Sequence, residues 1–391
     1  METQRLYEQD GHAHTFQAQV IACEAADTGY RIALDRTCFF PEGGGQPGDR
    51  GVLIGARTVT VQDTQEERGL LWHNTDLPLP VNTQVEGRLD WPLRFARMQC
   101  HSGEHIVSGL FHRRHGLENV GFHLGDEEMT IDLNGPVTWE EVREIERLAN
   151  QAVALDLPVQ TAFPSPEELA RLSYRSKRDL EGRVRIVTIP GYDVCACCAP
   201  HVNRTGEIGL IHMYALQNYK GGVRIRMLCG SRAVDDLIAK QESITDISVR
   251  LSARQDRVAD AVARLAAELE ETKGRTAALG RQLAQAMADA IPAGAGGQVC
   301  FTQLDTNALR ALVNAALEKK VPLCAAFAQE GDRWQYILGA VNTDLRPLVK
   351  KMNADLQGRG GGTAQMVQGS VQASRAEISA WWKARLSALG V

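Results

Sequence analysis

Nowhere in its 391 residues does this chain hold an uninterrupted apolar run of the roughly 18 residues a membrane-spanning helix requires. The opening METQRLYEQDGH also lacks the basic and then apolar order of a secretory signal, so a cytoplasmic location and no membrane partner are expected. Cysteine is sparse: nine in all, an odd number, with three crowded into CACC. That suits metal or thiol chemistry in a reducing compartment better than a disulfide framework. Positive charge is not in excess either, 43 Lys and Arg standing against 48 Asp and Glu, which excludes indiscriminate coating of nucleic acid but leaves local basic patches.

What the chain does hold comes in blocks. Up to about residue 90, β-rich pieces (FQAQVIAC, YRIALD, RTVTVQDT) alternate with Gly, Pro and Asp turns, which predicts a small barrel or sandwich. Within it FFPEGGGQPGDRG, Phe39 to Gly51, packs five glycines and two prolines between strands. Gly43, Gly44 and Gly45 either let backbone approach a ligand where a Cβ would collide or simply form a long hairpin turn. Residues 91–230 mix strands such as VRIVTI, EIGLIHMYAL and GVRIRML with helices, one of them from Thr138 to about Asp156, an α+β pattern. Over 231–291 the composition turns to Ala, Glu, Arg, Gln and Leu, and proline is absent from Arg232 to Ala290. There Val258, Val262, Leu265, Leu269, Thr272, Thr276, Leu279 and Leu283 step by four and three, as in a coiled coil. Thr272, Gly274 and Thr276 also offer a turn, so a self-packed helical hairpin competes with a dimerising coil. PAGAGG from Pro292 reads as a linker into a small α/β domain at 292–391. The expectation is an α+β multidomain chain divided at 1–90, 91–230, 231–291 and 292–391.

The stretch MQCHSGEHIVSGLFHRRHG places His101 and His105 four apart, which on a helix brings both imidazoles to one face. About ninety residues on, DVCACCAPHVNRTGEIG holds Cys197 and His201 at a C-x3-H spacing between two β-like segments. Together they are four nitrogen and sulfur ligands, a set suited to one tetrahedral zinc per chain. Cys195 and Cys198 lie within reach of the same loop and compete with Cys197, or fill an apolar corner. HSGEH also fits H-x-x-E-H, the inverted zinc-protease signature, in which Glu104 is the base; the competing expectation is a solvent-facing Glu104.

The two histidines, the C-x3-H followed by VNRTGEIG, and the FPEGGGQP loop together resemble the AlaX-type alanyl-tRNA editing proteins, relatives of the editing domain of alanyl-tRNA synthetase. GRGGGTAQMVQGS from Gly358 resembles the glycine-rich segment of the DHH-associated domain that ends those synthetases, as in the long form of the family. The resemblance implies a trans-editing hydrolase that deacylates Ser-tRNA(Ala), and Gly-tRNA(Ala) in some members. It implies zinc held by His101, His105, Cys197 and His201, with 91–230 as the editing domain. No room remains ahead of the barrel for an alanine-activating core, so no use of ATP is expected. Where relatives commonly carry Gly-Thr before the last histidine, this chain has Ala199 and Pro200. The alternatives are a zinc metallopeptidase and a non-enzymatic tRNA-binding or assembly protein.

Editing has a chemical reason, because a pocket sized for alanine rejects glycine or an added hydroxyl poorly. A second site that hydrogen-bonds the serine hydroxyl would spare alanine, and Thr37 and Gln46, flanking the glycine loop, are the candidate partners. His123, in GFHLGDEEMTIDL, is the candidate for orienting water or substrate. For tRNA phosphates, Arg171 to Arg185 carries six basic residues against two acidic ones, with Arg175, Lys177 and Arg178 at its centre. Lys350, Lys351 and Arg359 beside Gly360 to Gly362 form a second candidate patch.

Overall fold

A computed structural model describes residues 2–126, 128–176 and 183–389. The chain divides into two compact units, Met1–Ser243 and Ile244–Val391.

The first unit opens with eight strands: β1 (Gln4–Arg5), β2 (Thr15–Ala25), β3 (Tyr30–Leu34), β4 (Arg36–Thr37), β5 (Gly51–Ile54), β6 (Thr58–Glu67), β7 (Leu70–Thr75) and β8 (Gln84–Leu89). Six close a barrel in the order β2-β3-β7-β6-β5-β8, while β1 and β4 pair in parallel. The barrel closes because its strands alternate: Phe16, Ala18 and Val20 of β2, and Val59 and Val61 of β6, all point inward onto Ile32, Leu53 and Val85.

A long helix follows, α1 (Trp91–His115), started by Asp90, whose side chain accepts from the Leu93 amide, and stopped by Gly116 at φ +65°. From Arg97 to Phe111 it is buried without interruption, so it has no solvent face over that stretch. Two arginines near its start lock it to the barrel loops. Arg94 donates to the Asp49 carboxylate (Nε to Oδ2, 2.8 Å) and to the Cys38 carbonyl; Arg97 donates to the Gly48 carbonyl at 2.8 Å. Truncating either partner of the fully buried Arg94–Asp49 pair would strand a charge, at about 3–5 kcal/mol.

Next come β9 (Asn119–Leu124), β10 (Met129–Leu133), α2 (Trp139–Ala154), β11 (Gln160–Ala162), α3 (Pro166–Leu169), β12 (Ile186–Ile189), β13 (Asp193–Ala196), β14 (Ile211–Tyr219) and β15 (Gly222–Cys229). They build an antiparallel sheet ordered β14-β15-β10-β9 and a smaller one ordered β11-β12-β13. α2 begins with a capping box between Thr138 and Glu141 and turns Val142, Ile145, Ala149 and Ala152 into the core shared with α1. α4 (Ser231–Arg250) then crosses the boundary between the units.

The second unit continues with α5 (Val258–Asp289), β16 (Gln298–Thr302), α6 (Thr306–Glu318), β17 (Leu323–Glu330), β18 (Arg333–Ala340), α7 (Leu345–Asp355), β19 (Arg359–Gly362), β20 (Met366–Val371) and α8 (Arg375–Leu389). Its sheet runs β16-β17-β18-β20-β19, parallel only between β16 and β17. One face buries Leu309, Leu312 and Ile337 under α6, and the other buries Phe327, Tyr336, Met352 and Trp382.

The α+β class and the amino-terminal barrel are as expected. The helical segment differs. No turn occurs at Thr272, Gly274 and Thr276, which lie inside the continuous α5; the chain breaks instead between Arg250 and Val258. Nor does the apolar seam enter the core of this unit: Val262, Leu265, Leu269, Leu279 and Leu283 are exposed, and α5 buries Ala261, Ala284 and Ala288 instead. Small residues win because they let α5 approach α6 closely; a Cβ at Gly280 would already lie 3.4 Å from that of Ala308. Among the described residues no helix is long and apolar enough to cross a membrane.

Candidate metal centre

The buried middle of α1 supplies two histidines. At Gly103, between them, an added Cβ would collide with Cys229 Sγ, so the spacer in HSGEH is as small as the packing demands. The rings of His101 and His105 stack with centroids 5.5 Å apart, as i, i+4 spacing dictates. The loop after β13 brings up Cys197 and His201, and the His201 ring stands edge-on at 4.9 Å from His101 and 4.8 Å from His105. One ligating atom from each of His101, His105, Cys197 and His201 lies within 4.8 Å of all the others.

Each imidazole is oriented through its Nδ1. His101 Nδ1 lies 2.8 Å from Gln46 Oε1, His105 Nδ1 2.8 Å from Asp193 Oδ2, and His201 Nδ1 3.2 Å from Ser102 Oγ. Amide and carboxylate oxygens only accept, so His101 and His105 carry their protons on Nδ1 and leave the Nε2 lone pairs inward, the usual arrangement around a bound metal. His201 Nε2 is buried with no hydrogen-bond partner. An orphaned buried nitrogen costs about 1–3 kcal/mol, and a metal ion removes that cost.

The electrostatics of Cys197 and His201 suit metal ligands. Burial opposes ionisation of Cys197, but the neighbouring His101 and His201 hold its thiol well below the ordinary value. Burial pushes the His201 imidazolium down to about 3. His105 is pulled down by burial, yet its bond to Asp193 carries it well above the ordinary histidine value. Burial likewise works against the Asp193 carboxylate, and His105 and Arg175 outweigh it. A thiolate with three imidazoles is a donor set that fits zinc.

The other expected residues fall in different places. The glycine loop makes a tight turn, Gly43 and Gln46 exchanging backbone hydrogen bonds with Gly44 and Gly45 both at positive φ. The Leu124 amide donates to the Gly45 carbonyl at 2.8 Å, and a Cβ on Gly45 would strike the Phe122 carbonyl. The turn is thereby laid on β9 beside the cluster, where Phe122 packs 4.9 Å from the His101 ring. Gln46 joins the cluster through His101, and its Nε2 is buried without a partner. Thr37 is fully buried in the barrel and hydrogen-bonded to His73 Nε2 at 2.9 Å. His123 follows Phe122 on β9, so it faces the other way, and it is exposed.

Cys195 is buried in a second grouping with His105 and Asp193, not in an apolar corner, and Cys198 is exposed. Glu104 is not solvent-facing. It is buried and accepts from Ser108 Oγ at 2.6 Å and Asn119 Nδ2 at 2.5 Å, outside the four-residue cluster. A helix buried on every side leaves no exposed position for it. Arg175, expected to face phosphate, instead grips Asp193 through Nε and Nη2 at 2.8 and 2.9 Å. Lys177 and Arg178 lie outside the described residues. Lys350 and Lys351 on α7 and Arg359 on β19 are exposed in the second unit.

Sequence reading missed Asp193, Ser102 and Arg185, which donates to the carbonyls of Cys197 and Ala199 behind the loop. Asp193 had a signal: in a strand, Asp193, Cys195 and Cys197 alternate onto one side.

Residues 9–93 match the family described as tRNA synthetases class II (A), and residues 184–226 match the threonyl and alanyl tRNA synthetase second additional domain. The alanyl-tRNA editing protein AlaX-L of Pyrococcus horikoshii is 33% identical over 243 residues, 60% of this chain and 60% of that protein. Alanyl-tRNA editing protein Aarsd1 of Rattus norvegicus is 32% identical over 249 residues, 59% of each. The alanine–tRNA ligase of Pyrococcus abyssi is 29% identical over 391 residues, 95% of this chain and 42% of that protein. The chain thus spans about 60% of the length of the editing proteins it matches. The chain is a relative of the AlaX-type alanyl-tRNA editing proteins and of the matching parts of alanyl-tRNA synthetases.

Proposed function

We propose that the chain is a zinc-dependent aminoacyl-tRNA hydrolase that clears tRNA(Ala) mischarged with serine, and with glycine, in trans and without ATP. The observation that carries the reading is the convergence of His101, His105, Cys197 and His201 on one point, with His201 Nε2 buried and unpartnered. These four residues would hold the ion, which when bound supplies Lewis acidity to an activated acyl ester. The surrounding protein does the rest. Gln46 orients His101 through its oxygen and keeps an unpartnered amide nitrogen beside the cluster, a donor available to a serine hydroxyl. Alanine offers nothing to that donor, and leaving it unpaired costs about 1–3 kcal/mol. Gly43, Gly44 and Gly45 keep the wall next to it free of side chains. Glu104 is held by Ser108 and Asn119, which speaks against the peptidase role its motif allows.

In this reading Lys177, Arg178, Lys350, Lys351 and Arg359 meet tRNA phosphates, while Arg175 is committed to Asp193. The exposed leucines of α5 join two copies into a homodimer, and the protein works in the cytoplasm with its substrate. The test is to compare Cys197→Ala with Cys195→Ala. The first is expected to lose bound zinc together with hydrolysis of Ser-tRNA(Ala), and the second to keep both. Equal losses would refute the ligand assignment, and hydrolysis unaffected by either change would refute the role of the cluster.

A further inference from the structure

A charged chain lies behind the cluster. Asp193 Oδ2 receives His105 Nδ1 at 2.8 Å, while Arg175 closes on the same carboxylate from the other side, Nε to Oδ1 at 2.8 Å and Nη2 to Oδ2 at 2.9 Å. The side chains of His105, Asp193 and Arg175 are 3%, 2% and 10% exposed, so nothing here is a surface ion pair. The backbone holds Arg175 in place: its amide donates to the Val194 carbonyl and its carbonyl accepts from the Ala196 amide, lacing it onto β13. Resting on the metal reading above, we propose that Asp193 and Arg175 are positioning residues of the metal centre. Asp193 holds His105 with its proton on Nδ1 and its Nε2 toward the ion. Arg175 fills the carboxylate, so that Asp193 stays an acceptor and does not become a ligand.

Two physical arguments carry this. A buried carboxylate needs a donor at each oxygen, and Arg175 fills Oδ1 and Oδ2 in a fork while His105 takes the remaining place on Oδ2. Further, His105, Asp193 and Cys195 are themselves a buried trio with ligating atoms within 4.8 Å, able to compete for the ion with the intended four. A guanidinium fork on Asp193 removes its best lone pairs from that competition. Arg175 thereby helps decide that Cys197, two residues beyond Cys195, is the thiolate that binds.

The test uses the full chain with Zn(II) and Co(II) as probes. Zinc affinity is measured by competition with a chromophoric chelator in the parent, in Asp193→Asn, in Arg175→Met, and in the double variant. Each single change is expected to weaken zinc binding about 10- to 100-fold, and the double variant no further than the weaker-binding single one, because Arg175 acts through Asp193. With Co(II), the thiolate-to-metal absorption should disappear on adding Cys197→Ala to the parent, but in the Arg175→Met background part should survive Cys197→Ala and vanish on adding Cys195→Ala. Melting of the metal-free proteins reports folding separately. A merely structural role would lower that melting temperature and leave zinc affinity within about threefold of the parent, which overturns the proposal. Losses that multiply in the double variant overturn it as well. A parent chain that binds no zinc would overturn the metal reading itself.

Discussion

His73 spends the hydrogen-bonding capacity of Thr37 inside the barrel. Its Nδ1 lies 2.9 Å from the Ile32 carbonyl and so carries the proton; Nε2 accepts from the Thr37 hydroxyl, which in turn accepts from the Phe39 amide. Thr37 can donate to a substrate only by giving up that bond, whereas Gln46 keeps a donor free. The same histidine gives a pH signature. Burial pushes its imidazolium down from 6.5 to about 4, so between those values the unfolded chain binds the proton and the native chain does not. Stability therefore rises with pH across this window and is lost as pH falls through it, by about 3 kcal/mol in all. Denaturant midpoints in the parent and in His73→Gln should show the slope between pH 4 and 6.5 shrinking in the variant; an unchanged slope would assign it to other groups. Glu104 supplies a second residue-level test. Glu104→Gln turns a donor toward Ser108 and Asn119, and should cost about 1–3 kcal/mol in stability while leaving zinc content and deacylation nearly intact. A fall in hydrolysis by orders of magnitude at unchanged zinc would restore Glu104 as a base.

At the scale of elements, α5 has two apolar stripes with different uses. Its alanines, Ala284 and Ala288, pack into the core with α6, and its leucines face outward. The leucine stripe is therefore available to a second copy. Leu265→Glu with Leu279→Glu should shift the full chain from dimer to monomer in sedimentation while moving its own stability by less than about 0.5 kcal/mol. A parent that is monomeric at the same concentration would remove the homodimer. This stripe also shows where sequence is readable. Periodicity revealed that 231–291 is largely helical, and strand alternation revealed the barrel, because each such element has a wet side and a dry side. It did not reveal which stripe is buried, since leucine spacing outweighs alanine spacing by eye. α1 misled for the opposite reason: buried from Arg97 to Phe111, it has no wet side there, and Glu104 read as solvent-facing. At the metal centre, His101 and His105 were legible as a helical pair and Cys197 with His201 as a loop pair. Arg175 was not, because its partner Asp193 is eighteen residues away and nothing local distinguishes a buried arginine from one awaiting phosphate.

For the whole molecule, the barrel, the glycine turn and the four-residue cluster all belong to the first unit, while Lys350, Lys351 and Arg359 belong to the second. Chemistry and one of the candidate phosphate contacts are thus carried by different compact bodies. The alanine–tRNA ligase of Pyrococcus abyssi aligns with 95% of this chain and the editing proteins with about 60%, so the likeness to the ligase extends into both units. The central claim is that the first unit removes the wrong amino acid from tRNA(Ala). It is tested most directly by incubating the purified full chain, without ATP, with Ser-tRNA(Ala) and in parallel with Ala-tRNA(Ala), and following release of the amino acid. The account predicts hydrolysis of the serine ester well above its spontaneous rate and faster than that of the alanine ester by about 5- to 150-fold, the range that one unpaired buried donor sets. Equal rates on the two substrates, or no hydrolysis above the spontaneous rate, would contradict it.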